Sequence, residues 1–338
     1  MRSISYRAKL RLRKILKISL IVLSVLLIVS IVGFVYLQRF LVYTPDGVRL
    51  DFSQSEEPKT PAGTDAPTHT VPDINIIYGE ATPDIDENTP ISGYYIDIAM
   101  LQDPDAVYDA VLALEGPGVV MIDLKSSSGM FYYSTGIEGA PLAEVDVATI
   151  DAVIAHLRTH GFTVIARVET FRDRAYALEH LSSGLAIHSG ALWSDEGYYW
   201  LDPGDPTVIE YLQQIVKDLS SRGITEVVFD DFYYPSSADI IYKHDISRTE
   251  LMNNAAASLL NYFTSTNITI SFCNTASDLK VGNSRSHIMI ENADASKVSS
   301  LLAAYESLKS PETQLVFLTG SKDTRFDGCS TLRPLIQD

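Results

Sequence analysis

The chain has 338 residues, 46% of them hydrophobic and 20% charged, and a formal net charge of −17. Eight basic residues and no acid fall before residue 43, so the remainder carries −25. That argues against nucleic acid or an anionic membrane surface as its partner and fits a neutral or cationic ligand. Two cysteines, Cys273 and Cys329, are too few for a disulfide framework, although one bridge between them stays open. The seven histidines form no metal-ligand pair, so neither a metal nor a cofactor is expected.

Taken in chain order, residues 1–17 form a basic segment and residues 18–37 hold no charge. At roughly 1.5 Å per residue that run can cross a hydrocarbon core of about 30 Å. The expectation is a single membrane span over 18–42, with a cytoplasmic N-terminus and an extracytoplasmic C-terminal part by the positive-inside rule. A cleaved signal peptide is the rival reading, disfavoured because the apolar run exceeds the usual h-region of roughly 7–15 residues. Residues 43–90 carry seven prolines among Thr, Asp, Glu and Gly, the composition of a disordered linker.

From residue 91 to 338 the pattern becomes globular. Short β-rich runs at 93–98, 119–124, 162–168, 225–230, 268–272, 286–290 and 314–318 alternate with helical patterns. The helices open on Asp103-Pro104, Asp146, Asp205-Pro206 and Ser247, and those after Asp103, Asp146 and Asp205 close on Gly116, Gly161 and Gly223. Repeated β-α-β units with continuous apolar strands imply a parallel sheet covered on both faces. No glycine-rich nucleotide loop follows the first strand, which leaves a TIM-type (β/α)8 barrel as the expected fold. Only seven strands are legible, so the eighth is either missing at the C-terminus, placed near 74–78, or a strand without a legible pattern.

Charged residues gather at the C-terminal ends of these strands, where parallel barrels keep their chemistry. The fourth strand ends in Asp230-Asp231, and alternation lets only one of the two face inward. Asp123 and Lys125 end the second strand and Arg167 and Glu169 the third, each pair two residues apart and hence expected on one face. Two carboxylates, one ionised and one protonated, suit glycoside cleavage. Glu169, Glu291 and Asp278 are the candidates to complete Asp230. Trp193, Tyr198, Tyr199, Trp200, Tyr233 and Tyr234 supply aromatic faces for sugar rings.

The segments around Val119–Gly129, Ile165–Asp173, Trp193–Pro203 and Val227–Pro235 resemble, in order and spacing, the glycoside-hydrolase-like domain of bacterial exported proteins. That family comprises TIM barrels distantly similar to the α-amylase-like barrels. The resemblance implies that Asp123, Lys125, Arg167, Trp193, Asp202 and Asp230 line a pocket. It places Asp230 where related barrels carry the strand-four nucleophile and leaves Asp231 to the loop. Tyr233 stands where the family more often has Arg, and Glu169 where it more often has an apolar residue. The expectation is a membrane-anchored, extracytoplasmic glycosidase acting on cell-envelope or extracellular polysaccharide. Asp230, Glu169, Glu291 and Asp123 are then catalytic candidates, and Lys125, Arg167, Trp193, Trp200, Asp202, Asp231 and Tyr233 substrate contacts. The alternative is a glycan-binding cell-wall protein with a degenerate barrel.

Overall fold

The computed structural model describes residues 41–44, 47–50 and 89–336, except 274, 276–278, 281–284 and 307. Two compact units divide the chain, 1–76 and 77–338. In the first, Leu41–Thr44 pairs antiparallel with Gly47–Leu50. Residues 18–40 of the candidate span and most of the 43–90 linker lie outside the described residues. Among the described residues no helix is long and apolar enough to cross a membrane.

The second unit is a closed barrel of eight parallel strands. In chain order they are β1 (Ser92–Ile96), β2 (Val119–Lys125), β3 (Thr163–Glu169), β4 (Glu226–Asp230), β5 (Thr269–Cys273), β6 (Ile288–Ile290), β7 (Leu315–Leu318) and β8 (Ser330–Pro334). Alternation divides their side chains between two cores. Met121, Ile165, Val228, Cys273, Met289, Val316, Leu318 and Leu332 fill the barrel interior. Val120, Ile122, Val164, Ala166, Val227 and Phe229 point outward to the helices. All seven residues of β2 are consequently buried.

The connecting helices begin where the caps imply. Asp103, Asp146, Asp205 and Ser247 each accept a backbone N–H at the start of α1 (Pro104–Leu112), α2 (Val147–Thr159), α4 (Pro206–Ser221) and α5 (Arg248–Phe263). Such caps satisfy donors that the first helical turn leaves without partners. The short α3 (Arg174–Glu179) and a two-stranded hairpin, Ser194–Asp195 with Tyr198–Tyr199, occupy the long connection between β3 and β4.

The barrel is complete, and of the places left open for its eighth strand the structure selects one that the sequence pattern does not mark. The eighth strand is the near-terminal β8, which pairs with β7 through Val316↔Ser330 and with β1 through Thr331↔Ser92. Its sequence, Ser-Thr-Leu-Arg-Pro, contains a single large apolar residue. Hydroxyl groups do the remaining work: Ser330 Oγ donates to the Thr313 carbonyl at 2.8 Å and accepts the Ile91 N–H at 2.9 Å.

Candidate active site

The site lies at the C-terminal ends of β2, β3, β4 and β6, the end at which barrel enzymes assemble their chemistry. Strand register sets its frame, with Asp123 beside Arg167 and Glu169 beside Asp230. Arg167 holds Asp123 in a two-point grip, Nε to Oδ1 at 2.6 Å and Nη2 to Oδ2 at 2.8 Å. Its Nη1 lies 3.4 Å from Asp230 Oδ2 and also donates to Glu291 from the end of β6. One guanidinium therefore gathers three carboxylates, a burial that only pairing of this kind makes tolerable.

Asp230 is fixed from its other side by its neighbour, whose N–H donates to Oδ1 at 2.8 Å. Burial pushes the Asp230 carboxyl up to about 6; Arg167 opposes the rise, and the charges of Glu291, Asp231 and Asp123 add to it. Glu169 lies further along the same scale. Burial, then the charges of Asp230 and Asp231, push its carboxyl well above the ordinary range, with Lys125 opposing. The Glu169 Oε1 atom is buried and has no hydrogen-bond partner among the described residues. Two adjacent carboxyls thus differ in acidity, the condition for one to act as acid while the other is ionised.

A cavity of about 290 Å³ opens over this pair, lined by Asp123, Lys125, Arg167, Glu169 and Asp230 together with Ser126–Ser128, Ile98, Tyr132 and Tyr198. The serine loop is held from below. Its Ser127 and Ser128 carbonyls accept the N–H groups of Arg174 and Ala175 at the start of α3. Gly129 ends the loop at φ +84°, and a Cβ there would stand 2.3 Å from Asp173 Oδ1, so no larger residue fits.

Lys125 lines the cavity with Asp123, although the strand between them is irregular. The β2–β3 register slips after Asp123, so that Lys125 pairs with Val168 rather than Glu169. Such a bulge re-aims the residue that follows it. The Lys125 ammonium meets Asp173 at 2.9 Å and the Glu169 carbonyl at 2.7 Å, with no exposed side-chain surface. It lines the floor of the cavity with its charge already matched.

The remaining candidates are distributed around this centre. Asp231 sits at φ +47° and pairs with Arg172 at 3.2 Å; Arg172 in turn reaches Glu196 in the hairpin and lies over the Tyr198 ring at 4.9 Å. Trp200 has no exposed surface and packs in the outer core, 5.0 Å from Tyr233 and 6.0 Å from the partly buried Trp193. Asp202 stands apart from the cavity residues, accepting from His244 Nε2 at 2.8 Å and from the Gly204 N–H at 2.9 Å. Asp278 lies outside the described residues. Oxygens of Asp230 and Glu291 and the Cys273 sulfur lie within 4.8 Å of one another, the one set of donors among the described residues spaced to hold a metal ion. The Arg167 charge beside both carboxylates works against a cation there. Cys273 and Cys329 are both free thiols.

Sequence reasoning did not single out Ser126–Ser128, Tyr132 or Arg172. The Ser-Ser-Ser-Gly run directly after β2 was the available signal for the loop. Nothing comparable marked Arg172 as the link between Asp231 and the hairpin.

A closed parallel barrel with carboxylates and an arginine at its C-terminal mouth has the architecture of the (β/α)8 enzymes. Within that class the chain belongs to the family described as "Putative glycosyl hydrolase domain" (DUF4015), whose model matches residues 97–282. Among solved structures it is similar to the galactosidase domain of the α-galactosidase-sucrose kinase AgaSK, at 12% identity over 73% of this chain and 37% of that one, TM-score 0.52. It is also similar to a hypothetical protein from Ruminiclostridium thermocellum, at 19% identity over 56% of this chain and all of that one, TM-score 0.47. A third is the glycoside hydrolase domain of PelA from Pseudomonas aeruginosa, at 12% identity over 68% and 83%, TM-score 0.43. The AgaSK likeness supports the barrel fold. No curated protein matches the sequence.

Proposed function

We propose that this chain is a glycosidase in which Asp230 is the ionised nucleophile or general base and Glu169 the general acid. The observation that carries the reading is their adjacency: register partners on β3 and β4, lining one cavity, with unequal acidity. Protonated Glu169 gives its proton to the glycosidic oxygen as the bond to the anomeric carbon breaks. Asp230 either bonds to that carbon or takes a proton from the attacking water. Asp123, locked on Arg167, orients the guanidinium that steadies Asp230.

The substrate class follows from charge. Both cations that line the cavity are engaged by carboxylates, Lys125 by Asp173 and Arg167 by Asp123, Asp230 and Glu291. A glycan presenting hydroxyl or amine donors suits such a lining better than one carrying carboxylate or sulfate. The uncharged stretch at 18–37 behind seven basic residues supports a membrane anchor, with 43–90 as the linker that carries the 91–338 domain outside the cytoplasm. Cell-envelope or extracellular polysaccharide is then the material within reach.

The test is product release from a polysaccharide panel by the full chain and by Asp230→Asn and Glu169→Gln. Activity lost in both variants supports the reading, and activity unchanged in Asp230→Asn eliminates it. Binding retained by every form with no product from any would move the protein to the glycan-binding class.

A further inference from the structure

Hydrogen bonding in the turn after β2 is one-sided. The Gly129 N–H donates to the Ser126 carbonyl at 2.9 Å while Ser127 and Ser128 both keep negative φ, which defines a type I turn. The next two carbonyls are taken by the start of α3: the Arg174 N–H donates to Ser127 and the Ala175 N–H to Ser128, each at 3.1 Å. The Ser126 and Ser128 hydroxyls bond each other at 2.7 Å. Among the described residues no acceptor meets the N–H of Ser127 or that of Ser128, and the Ser127 hydroxyl has no partner. In a trans peptide the N–H points opposite to the carbonyl, so the Ser128 N–H is directed away from α3. The cavity lies on that side, since Ser126–Ser128 line it whereas Ala175 of α3 lines a different one.

We propose that this turn binds the acetamido carbonyl of an N-acetylated sugar, which makes N-acetylhexosamine glycans the substrate class. The inference rests on the reading of the cavity as a glycosidase site. The two backbone donors decide the group. A sugar hydroxyl that accepts from them must also place its own proton, and the carbonyls of the turn are already engaged. An amide carbonyl accepts two donors and has no proton to place. A carboxylate would accept as well, but it meets the charges of Asp123 and Asp230 in the same lining, where both cations are already matched. The rest of an acetamido group finds its complements there too. Its N–H has those carboxylates as acceptors, and its methyl has Ile98 and the rings of Tyr132 and Tyr198. Because α3 and Gly129 already hold the turn, seating the sugar orders little more of the chain.

The experiment is an amide NMR titration of the full chain, isotope-labelled at serine, with N-acetylglucosamine, N-acetylgalactosamine and N-acetylmannosamine and with glucose, galactose and mannose. Single sugars free the outcome from linkage. The expected result is that the Ser127 and Ser128 signals move with at least one N-acetylated sugar and not with its parent hexose. Ser127→Pro keeps the type I geometry, which favours proline at that position, and removes both the N–H and the hydroxyl; it should weaken this binding about tenfold or more. Ser127→Ala removes the hydroxyl alone and should weaken it less. Hexoses that bind as well as their N-acetylated forms, serine signals unmoved by every sugar, or selectivity that survives in Ser127→Pro each overturn the proposal. If Ser127→Pro does not fold, the serine signals of the parent decide alone. A chain with acetamido-selective shifts that releases no product from any polysaccharide keeps this inference and loses the catalytic reading. One that cleaves a glycan without acetamido groups, at equal rates in the parent and Ser127→Pro, does the reverse.

Discussion

Lys125 and Asp173 meet at 2.9 Å with neither side chain exposed to solvent. Asp173 also accepts the Tyr211 hydroxyl at 3.0 Å and the Tyr176 N–H at 2.8 Å, so one carboxylate caps α3, receives the lysine and stands against Gly129. Through it the floor of the cavity is tied to the outer helices. Lys125→Met should leave Asp173 buried without its cation and cost about 3–5 kcal/mol. Urea unfolding of the variant measures this, and a loss below about 1 kcal/mol would show the pair to be dispensable.

The two tryptophans should separate cleanly. Trp200 is fully buried among Trp193, Tyr233 and the outer core, so Trp200→Ala should cost about 3–5 kcal/mol through lost burial and a residual cavity. Partly buried Trp193 should cost less when truncated. Thermal melts of both variants decide it, and equal losses would contradict the packing described here.

The rate profile should rise with pH through about 6 as Asp230 ionises and fall again, at higher pH, as Glu169 gives up its proton. Arg167 holds the Asp230 carboxyl down, so Arg167→Gln should move the rising limb to higher pH. A rising limb that stays in place, measured as kcat/KM against pH, would mean that Arg167 and Asp230 are not coupled.

A second titrating group lies at the opposite end of the barrel. His287 Nδ1 and Ser271 Oγ both contact Glu226 Oε1, at 2.8 and 2.5 Å, and the Ser271 hydroxyl accepts the His287 N–H. Burial pulls the imidazole down, but the Glu226 charge and hydrogen bond outweigh it and the net shift is upward. The folded state therefore binds this proton more tightly than the unfolded chain. Its stabilisation is complete below the unfolded value of about 6.5 and disappears as pH rises through the folded one. Melting temperature should fall across that window in the parent and fall less in His287→Gln. Parallel curves for the two proteins would remove His287 from the account.

Seven of the eight strands were legible because their apolar runs are bounded by caps and glycines, and the carboxylates at their ends pointed to the site. Three features were not. β8 is held by strand pairing and the Ser330 hydroxyl, which leave no hydrophobic signature. The bulge after Asp123 is invisible to alternation, because Asp-Leu-Lys reads as a regular strand until its register is known. Trp200 and Asp202 belong to the aromatic loop that drew attention, but a residue's place in a loop does not reveal which side of it meets solvent.

The β8 pairing also has a consequence in time. The barrel needs residues 330–334 to join β7 to β1, while β1 begins at residue 92. During synthesis one edge of β1 must wait, unpaired, for a segment made some 240 residues later. An open parallel edge of this kind is a template for wrong partners. A nascent chain paused or cut short before residue 330 should therefore be the form most prone to aggregate, even with every candidate catalytic residue already in place.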